Sequence, residues 1–150
     1  MDPFLTIALD EARLGLAEGG LPIGSCLVRG DRVVGRGHNR RVQHGNPMAH
    51  AEIDALTHAG RQATYRDTVL YSTLMPCFLC SGAVVQFGIP KVVVGDDENF
   101  PGGEGPAGRS PAFLRAHGVE VVVVNDPACL AMMRQFIAEN PTLWNEDIGV

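Results

Sequence analysis

The chain of 150 residues carries 12 basic and 17 acidic side chains, for a formal net charge of −5, and 45% of its residues are hydrophobic. This length suits a single domain, residues 1–150, with a substantial core, and the apolar content is too high for a disordered chain. Because no lysine and arginine run, membrane-spanning apolar run or signal peptide is visible, we expect a cytoplasmic protein that binds neither nucleic acid nor membrane.

The first elements predicted along the chain are a helix and a hairpin. Asp2-Pro3 suits the N-cap and first turn of a helix, which Gly19-Gly20 ends. Strands are predicted over residues 25–29 and 32–37, and the short turn between them indicates a β-hairpin. Residues 38–48 are rich in Asn, Gly and Pro and are expected to form a loop.

The rest of the chain alternates helices with strands. The predicted elements are a helix from about 48–50 to 59, a strand over 68–73, a helix over 76–87, strands over 91–94 and 120–124, and a helix over about 126–139. The valine-rich strands are expected to be covered on both faces, and loop 100–106 is expected to lack regular structure. No element is assigned to 140–150. This order predicts an α/β fold, a three-layer α/β/α sandwich around a mixed sheet of about five strands.

Two motifs point to metal chemistry, His50-Ala51-Glu52 and Pro76-Cys77-Phe78-Leu79-Cys80. Cys77 and Cys80 lie three residues apart at a helix start, so their sulfurs share one face and the positive helix end favours thiolates. With His50 they make three ligands, the number typical of catalytic zinc with water in the fourth position. Glu52 points elsewhere on its helix and could exchange protons with that water. Soft thiolates favour zinc over magnesium or manganese and leave iron open.

Each motif alone has another interpretation. A lone C-x-x-C is often a redox pair or half of a structural zinc site, and a lone H-x-E carries almost no information. Together, with 27 positions between His50 and Cys77, they match the H-x-E and P-C-x-x-C signature of zinc deaminases. The other possible ligands are scattered: Cys26, Cys129, His38, His44, His58 and His117. We interpret Cys26 and Cys129 as small buried core residues, His38 and His44 as loop residues, and the last two histidines as surface residues.

Beyond the motifs, the chain resembles fungal-type cytosine deaminases of the cytidine/cytosine deaminase superfamily along nearly its whole length. The matching stretches are 18–24, 35–39, 88–90, 94–95, 99–100, 120–124, 135–137 and the tail Trp144–Gly149. The resemblance implies one zinc ion per subunit, held by His50, Cys77 and Cys80 with a bound water or hydroxide. In that chemistry the hydroxide attacks C4 of cytosine, and Glu52 protonates N3 and then the departing ammonia. The product would be uracil, which implies a role in pyrimidine salvage.

The same resemblance implies a set of substrate contacts and a homodimer. Asn39 would hydrogen-bond the amide edge of the pyrimidine, the Ala51 backbone N–H would hold its carbonyl oxygen, and Asp147 would accept from the amino group. The other implied contacts are Phe100 and Trp144 over the ring, Ile23 in the wall and the Met75 carbonyl near the amino group. The helix residues 81–87 are apolar on nearly every side, which suits burial by a second subunit.

The chain also departs from that family. Val42 and Asn145 stand where aromatic residues are usual, and loop 101–110 is longer and richer in glycine. Apart from the resemblance, Asn39 could simply cap a turn and Trp144 could be a surface plug. The open alternatives are deamination of another amine (guanine, another amino-pyrimidine, a nucleoside or tRNA adenosine) and a non-enzymatic zinc or redox protein. We favour a free base, because an acidic chain suits tRNA poorly and the Trp/Asp tail leaves little room for ribose.

Overall fold

A mixed five-stranded sheet forms the centre of the computed structural model, which describes residues 1–150. The strands are β1 (Gly24–Arg29), β2 (Arg32–His38), β3 (Thr68–Ser72), β4 (Lys91–Val94), β5 (Glu104–Gly105), β6 (Gly108–Arg109) and β7 (Glu120–Val123). The helices are α1 (Pro3–Ala17), α2 (Arg41–His44), α3 (Ala51–Ala59), α4 (Phe78–Phe87), α5 (Ser110–Ala116), α6 (Pro127–Glu139) and α7 (Pro141–Ile148). No helix is both long and apolar enough to cross a membrane.

The sheet has the order β2-β1-β3-β4-β7. Strand β1 pairs antiparallel with β2 and with β3, whereas β3, β4 and β7 run parallel. The predicted hairpin and the mixed sheet are therefore confirmed. The parallel strands require crossovers, which α4 supplies between β3 and β4 and α5 supplies between β4 and β7.

Helices cover both faces of the sheet, as the three-layer prediction requires. On one face, Leu27, Leu70 and Val92 pack in a buried cluster with residues of α4 and α5. Alternate residues of the same strands point to the other face, where Cys26 and Tyr71 pack against α1. This alternation is the two-residue period of a strand. It determines which strand residues point toward the face of the sheet that α3 and α4 cover.

The structure corrects several expectations about the less regular segments. Residues 41–44 form the short helix α2, which ends at Gly45 with φ 58°. The glycine-rich loop contains a small antiparallel ribbon, β5–β6, so the expectation that it lacks regular structure is wrong. Helices α5 and α7 were not predicted. Strand β7 pairs only with β4 and is partly exposed because it lies at the sheet edge, but its valines pack against the core clusters on both faces of the sheet.

Candidate active site

The N-termini of α3 and α4 converge on one cluster of metal-binding side chains. His50 is the N-cap of α3 and Cys77 is the N-cap of α4. The His50 Nδ1 atom lies 3.4 Å from the Cys77 sulfur and 3.6 Å from the Cys80 sulfur. A tetrahedral zinc ion with ordinary Zn–N and Zn–S bonds requires an N–S separation of about 3.6 Å. The three predicted ligands therefore meet, and their spacing and chemistry fit zinc.

The helix starts explain why these side chains are available. Neither N-cap side chain hydrogen-bonds the first turn of its own helix, so the imidazole and the thiol can face each other. Cys80 lies one turn into α4 and is fully buried, whereas Cys77 is half-buried. The cluster is thus open on the Cys77 side and closed behind Cys80.

The ionisation of the cluster in the metal-free chain favours a thiolate. Hydrogen bonds from Cys80 and His50 lower the pKa of Cys77 to about 4. Burial opposes protonation of His50, but the hydrogen bond and charge of Cys77 outweigh it and raise the pKa of His50 to about 9. Burial, together with donation to Cys77, raises the pKa of Cys80 well above its ordinary value. The thiolate is the form of cysteine that binds metal.

Glu52 lies beside the cluster without belonging to it. Its side chain is buried, and its Oε1 atom accepts a hydrogen bond of 2.9 Å from the Ser72 hydroxyl at the end of β3. Burial raises the pKa of this carboxyl. A buried carboxyl with a raised pKa beside a metal cluster is suited to a role as a general acid–base group.

A cavity of about 330 Å³ opens in front of the cluster and Glu52. On its other side the Asn39 amide nitrogen donates to Asp147 Oδ1 over 3.2 Å, and Asn39 Oδ1 accepts from the Arg41 backbone N–H. Asn39 is fully buried, its side-chain oxygen contacts the first residue of α2, and it lines the cavity. Burial raises the pKa of Asp147. A neutral amide and a carboxyl group thus face the metal cluster across the cavity.

The structure places most of the predicted site residues in the cavity lining. The lining members of that set are Ile23, Asn39, His50, Ala51, Glu52, Met75, Cys77, Phe100 and Asp147. Trp144 is not among the lining side chains. It is buried and packs edge-on against Phe100, with ring centroids 6.0 Å apart. Trp144 therefore supports the Phe100 wall from behind.

Several lining residues were missed by sequence reasoning. They are Leu74, Phe78, Leu79, Gly103, Glu104 and Ile148. Glu104 belongs to the ribbon and pairs with Arg109, whose Nη2 lies 2.6 Å from Glu104 Oε1. The Phe78 ring lies against the start of the ribbon. A Cβ atom added to Gly103 would come within 2.8 Å of this ring. Ser72 was missed as the partner of Glu52, although its place at the end of a strand that leads to the cysteines was a usable signal.

The remaining cysteines and histidines lie elsewhere. Cys26 and Cys129 are buried, as predicted, and burial raises the pKa of each thiol to about 12. His58 and His117 are exposed, as predicted, and His44 is exposed as well. The prediction that His38 lies in a loop is wrong, because this residue ends β2 and is only 2% exposed. None of these side chains contacts the metal cluster.

Comparisons with known proteins agree with this geometry. Residues 2–96 match the family described as "Cytidine and deoxycytidylate deaminase zinc-binding region". The chain is 45% identical over 148 residues to the cytosine deaminase of Candida albicans, across 97% of this chain and 94% of that protein. It is 37% identical over 103 residues to a tRNA-specific adenosine deaminase of Streptococcus pyogenes, across 67% of this chain and 65% of that one.

Solved structures support the fold. A structure from work on tRNA:A34 deaminases superposes with a TM-score of 0.71 at 26% identity, covering 86% of this chain and 97% of the other. The guanine deaminase from Nitrosomonas europaea superposes with a TM-score of 0.74 at 24% identity, covering 90% and 83%. The predicted α/β sandwich is therefore one that deaminases adopt.

Proposed function

Because the chain belongs to the cytidine and deoxycytidylate deaminase family, we propose that it is a zinc-dependent cytosine deaminase, which hydrolyses the free base to uracil and ammonia. The observation that carries the proposal is the similarity to the Candida albicans cytosine deaminase over 97% of this chain. That span takes in nearly all of the chain, and the cavity beside the metal cluster is lined by Asn39 and by Asp147 of α7. The reaction suits a role in pyrimidine salvage in the cytoplasm.

We propose one zinc ion per subunit, held by His50, Cys77 and Cys80. The N–S distances of 3.4 and 3.6 Å and the thiolate character of Cys77 support this assignment. Zinc bound there would supply the Lewis acidity that activates water at neutral pH. Three protein ligands would leave one position of a tetrahedral zinc ion for water, as in other catalytic zinc sites.

Glu52 is the proton carrier in this proposal. Its carboxylate takes a proton from the attacking water and delivers it to N3 of the ring. It then carries the remaining proton of the new C4 hydroxyl to the amino group, so that ammonia leaves as the C4 carbonyl of uracil forms. Burial and the hydrogen bond from Ser72 hold the carboxylate in one place, and burial raises its pKa above the ordinary value. Both features suit a general acid–base group.

The opposite wall binds and orients the base. Asn39 offers a donor and an acceptor to the amide edge of the pyrimidine, and Asp147 accepts from the exocyclic amino group. Ala51 is the first residue of α3, so its backbone N–H has no acceptor within the helix and can hold the carbonyl oxygen. Phe100 and Ile23 supply apolar contact with the ring. Met75 also lines the cavity, and its backbone carbonyl can share the amino group.

Two features favour a free base over tRNA adenosine. Asp147 and Ile148 of α7 line the cavity, so the tail occupies space that an extended nucleic acid would need. The chain also carries a formal net charge of −5, whereas nucleic acid binding depends on clustered basic residues. We therefore propose a small-molecule partner and no nucleic acid partner.

A second copy of the chain is the proposed protein partner. A groove between α3 and α4 is lined by apolar side chains that include Ile53, Leu56 and Phe87. Phe87 is 47% exposed. Leu79 lines both this groove and the cavity, so a subunit seated on the groove would cover one wall of the site.

The function is tested with the zinc-loaded protein and four substrates in parallel: cytosine, cytidine, guanine and an adenosine-containing tRNA stem-loop. Ultraviolet absorbance and ammonia release should show turnover of cytosine and little of the other three. Preferential turnover of the stem-loop or of guanine would refute the cytosine assignment. A zinc-loaded protein that deaminates none of the four would refute the proposed function.

A matched pair of variants tests the tail. Asp147→Asn keeps the shape and loses the anionic acceptor, and should lower kcat/KM for cytosine by about tenfold or more, as expected for a lost charged hydrogen bond. Glu146→Gln changes the neighbouring exposed carboxylate and should leave kcat/KM within about twofold. Equal effects of the two variants would contradict the binding role of Asp147.

The dimer is tested by sedimentation. Phe87→Glu places a charge on the α3–α4 groove and should convert a dimer to monomers at micromolar concentration. Leu16→Glu, at an exposed position of α1, should leave the dimer intact. A wild-type monomer at that concentration would refute this part of the proposal.

A further inference from the structure

His38 is a buried histidine that the proposed mechanism does not use. It is the last residue of β2 and is directly followed by Asn39. Its ring Nδ1 lies 2.9 Å from Glu11 Oε1, and its Nε2 lies 2.8 Å from Glu18 Oε1. Each ring nitrogen therefore has its own carboxylate partner within hydrogen-bond distance. We call Glu11, His38 and Glu18 the carboxylate clamp.

Side chains around the clamp hold both carboxylates of α1. Glu11 is buried and its second oxygen accepts from Arg36 Nε of β2 over 2.8 Å. Glu18, at the end of α1, accepts from Gln43 Nε2 of α2 over 3.2 Å and lies 3.8 Å from Arg40. The hydrogen bond from His38 lowers the pKa of Glu18. The α1 side therefore presents two fixed anions to one ring.

Helix α3 holds the backbone of the same residue. Asp54 Oδ2 accepts from the His38 backbone N–H over 3.0 Å and from Arg40 Nε over 2.9 Å. His58 lies 3.6 Å from the other oxygen of Asp54. With the α1 carboxylates, Arg36 and Arg40, these are the charged and titratable groups that face His38 and its clamp.

The network also reaches the backbone of Asn39. Gln43 Nε2 donates to the Asn39 carbonyl over 3.2 Å as well as to Glu18, and the Asn39 N–H donates to the Ile23 carbonyl. The clamp is thus joined to Asn39 through the peptide bond that follows His38 and through Gln43. No other group of the cavity is linked to α1 in this way.

Two glycines show how closely the neighbouring helices approach His38. Gly15 lies inside α1, where glycine is unfavourable, and a Cβ there would come within 3.2 Å of His38 Cδ2. A Cβ at Gly37 would come within 2.5 Å of Asp54 Oδ2. The absence of side chains at both positions lets α1 and α3 close on His38 from two sides.

We propose that His38 is a positioning residue for the substrate-binding amide: the carboxylate clamp fixes the end of β2 and thereby orients Asn39 toward Asp147 and the base. This inference rests on the proposed role of Asn39 in binding cytosine. His38 touches neither the cavity nor the metal cluster, so its effect on the reaction passes through Asn39. A glutamine at this position has a single side-chain nitrogen, which cannot take the places of both ring nitrogens.

A double-mutant cycle tests the inference in the zinc-loaded protein. His38→Gln should keep the zinc content of the wild type and raise KM for cytosine by about tenfold, with a smaller change in kcat, because an oriented binding group is lost. In an Asn39→Ala background the same change should add less than about threefold to the loss of kcat/KM, because residues that act as a unit are not additive. His117→Gln, at an exposed histidine, is the matched control and should behave as wild type.

The side-chain amide resonances of Asn39 give a readout that does not depend on activity. They are identified by their loss in Asn39→Ala, and His38→Gln should shift them whereas His117→Gln should not. Should His38→Gln fail to fold, Glu18→Gln, at a half-exposed clamp residue, takes its place in the cycle and the spectra. Additive losses in the cycle, unshifted Asn39 resonances, or activity lost in proportion to zinc would each overturn the inference. A zinc-loaded wild type that is inert on cytosine would refute the proposed function instead, and the Asn39 resonances would still decide the clamp.

Discussion

Replacement of Glu52 by glutamine separates proton transfer from metal binding. The side chain lies beside the cluster of His50, Cys77 and Cys80 and is not one of the three ligands that meet there. Glutamine has the same shape, and its amide oxygen can still accept the hydrogen bond from Ser72. We therefore expect Glu52→Gln to bind zinc as the wild type does and to fail in turnover.

The magnitude follows from the two proton transfers assigned to this carboxylate. A positioned general acid–base group contributes about 10²–10⁴ in rate, or about 3–5 kcal/mol of barrier. Because one residue serves both the ring nitrogen and the leaving group, we expect kcat for cytosine to fall by at least about 1,000-fold. An amide can neither take nor release the proton, so no change of pH should restore the rate.

The same substitution has a signed effect on stability. Burial raises the pKa of Glu52 above its ordinary value of 4.5, so the folded chain holds the proton more tightly than the unfolded chain. The free energy of unfolding that the protonated Glu52 contributes is complete below the pKa of this group in the unfolded chain. It is lost as the pH rises through the pKa of the same group in the folded chain. Metal-free Glu52→Gln should therefore unfold at the same temperature as the wild type or higher at pH 7, and with a weaker dependence on pH.

The assay combines zinc analysis, steady-state kinetics with cytosine and thermal unfolding of the metal-free protein. Retained zinc, a kcat lowered by orders of magnitude and an unchanged or raised Tm would agree with the reasoning. Near-normal turnover by the zinc-loaded variant would refute the proton-transfer role of Glu52. A large fall in the Tm of the metal-free variant would refute the inference that burying the charged Glu52 carboxylate destabilises the fold.

Three other substitutions or treatments test the site and the fold. In the metal-free protein, iodoacetamide should modify Cys77 at pH 6, because the pKa of this thiol is about 4 and its thiolate is lost only as the pH falls through that value. Cys129, whose thiol has a pKa of about 12, should stay unmodified. Mass spectrometry measures both. Gly24→Ala should lower the free energy of unfolding by about 2 kcal/mol or more, because its Cβ would meet an α1 carbonyl oxygen at 1.9 Å; Leu16→Ala, at an exposed position, should change it by less than about 0.5 kcal/mol in urea. Phe78→Ala removes the ring under the ribbon and should raise KM for cytosine while increasing turnover of cytidine; unchanged ratios of kcat/KM for the two substrates would contradict a role for the ribbon in limiting substrate size.

The metal cluster could be predicted because each of its parts is local. Cys77 and Cys80 are one turn apart, and a helix start brings both sulfurs to the same side without help from the rest of the chain. The convergence of His50 with them depends on the packing of α3 beside α4, which the presence of both motifs in one chain indicated. The alternation of helices and strands likewise predicted the sheet, because period-2 and apolar patterns are properties of short segments.

The segments that were missed depend on contacts far along the chain. The tail reads as polar and short, and α7 is held by burial of Trp144 against Phe100 and by the hydrogen bond from Asn39 to Asp147. Such tertiary contacts stabilise an eight-residue helix that its own sequence would not sustain. His38 was misplaced for the same reason, since its burial depends on two carboxylates of α1, 20 and 27 residues earlier.

This division between local and distant contacts also separates the reaction from the substrate. The groups that would activate water and move protons come from two helix starts and one strand end, and their spacing is visible in short motifs. The groups that would select the base come from the end of β2, from the loop before the ribbon and from α7, and only the tertiary fold brings them together. Val42, Asn145 and the 101–110 loop, where we expect departures from the fungal enzymes, lie in or beside these distant segments. Of these positions only the loop supplies residues to the cavity lining, Gly103 and Glu104, so we expect the loop to bear on which amine enters and the hydrolytic chemistry at the metal cluster to depend on none of the three.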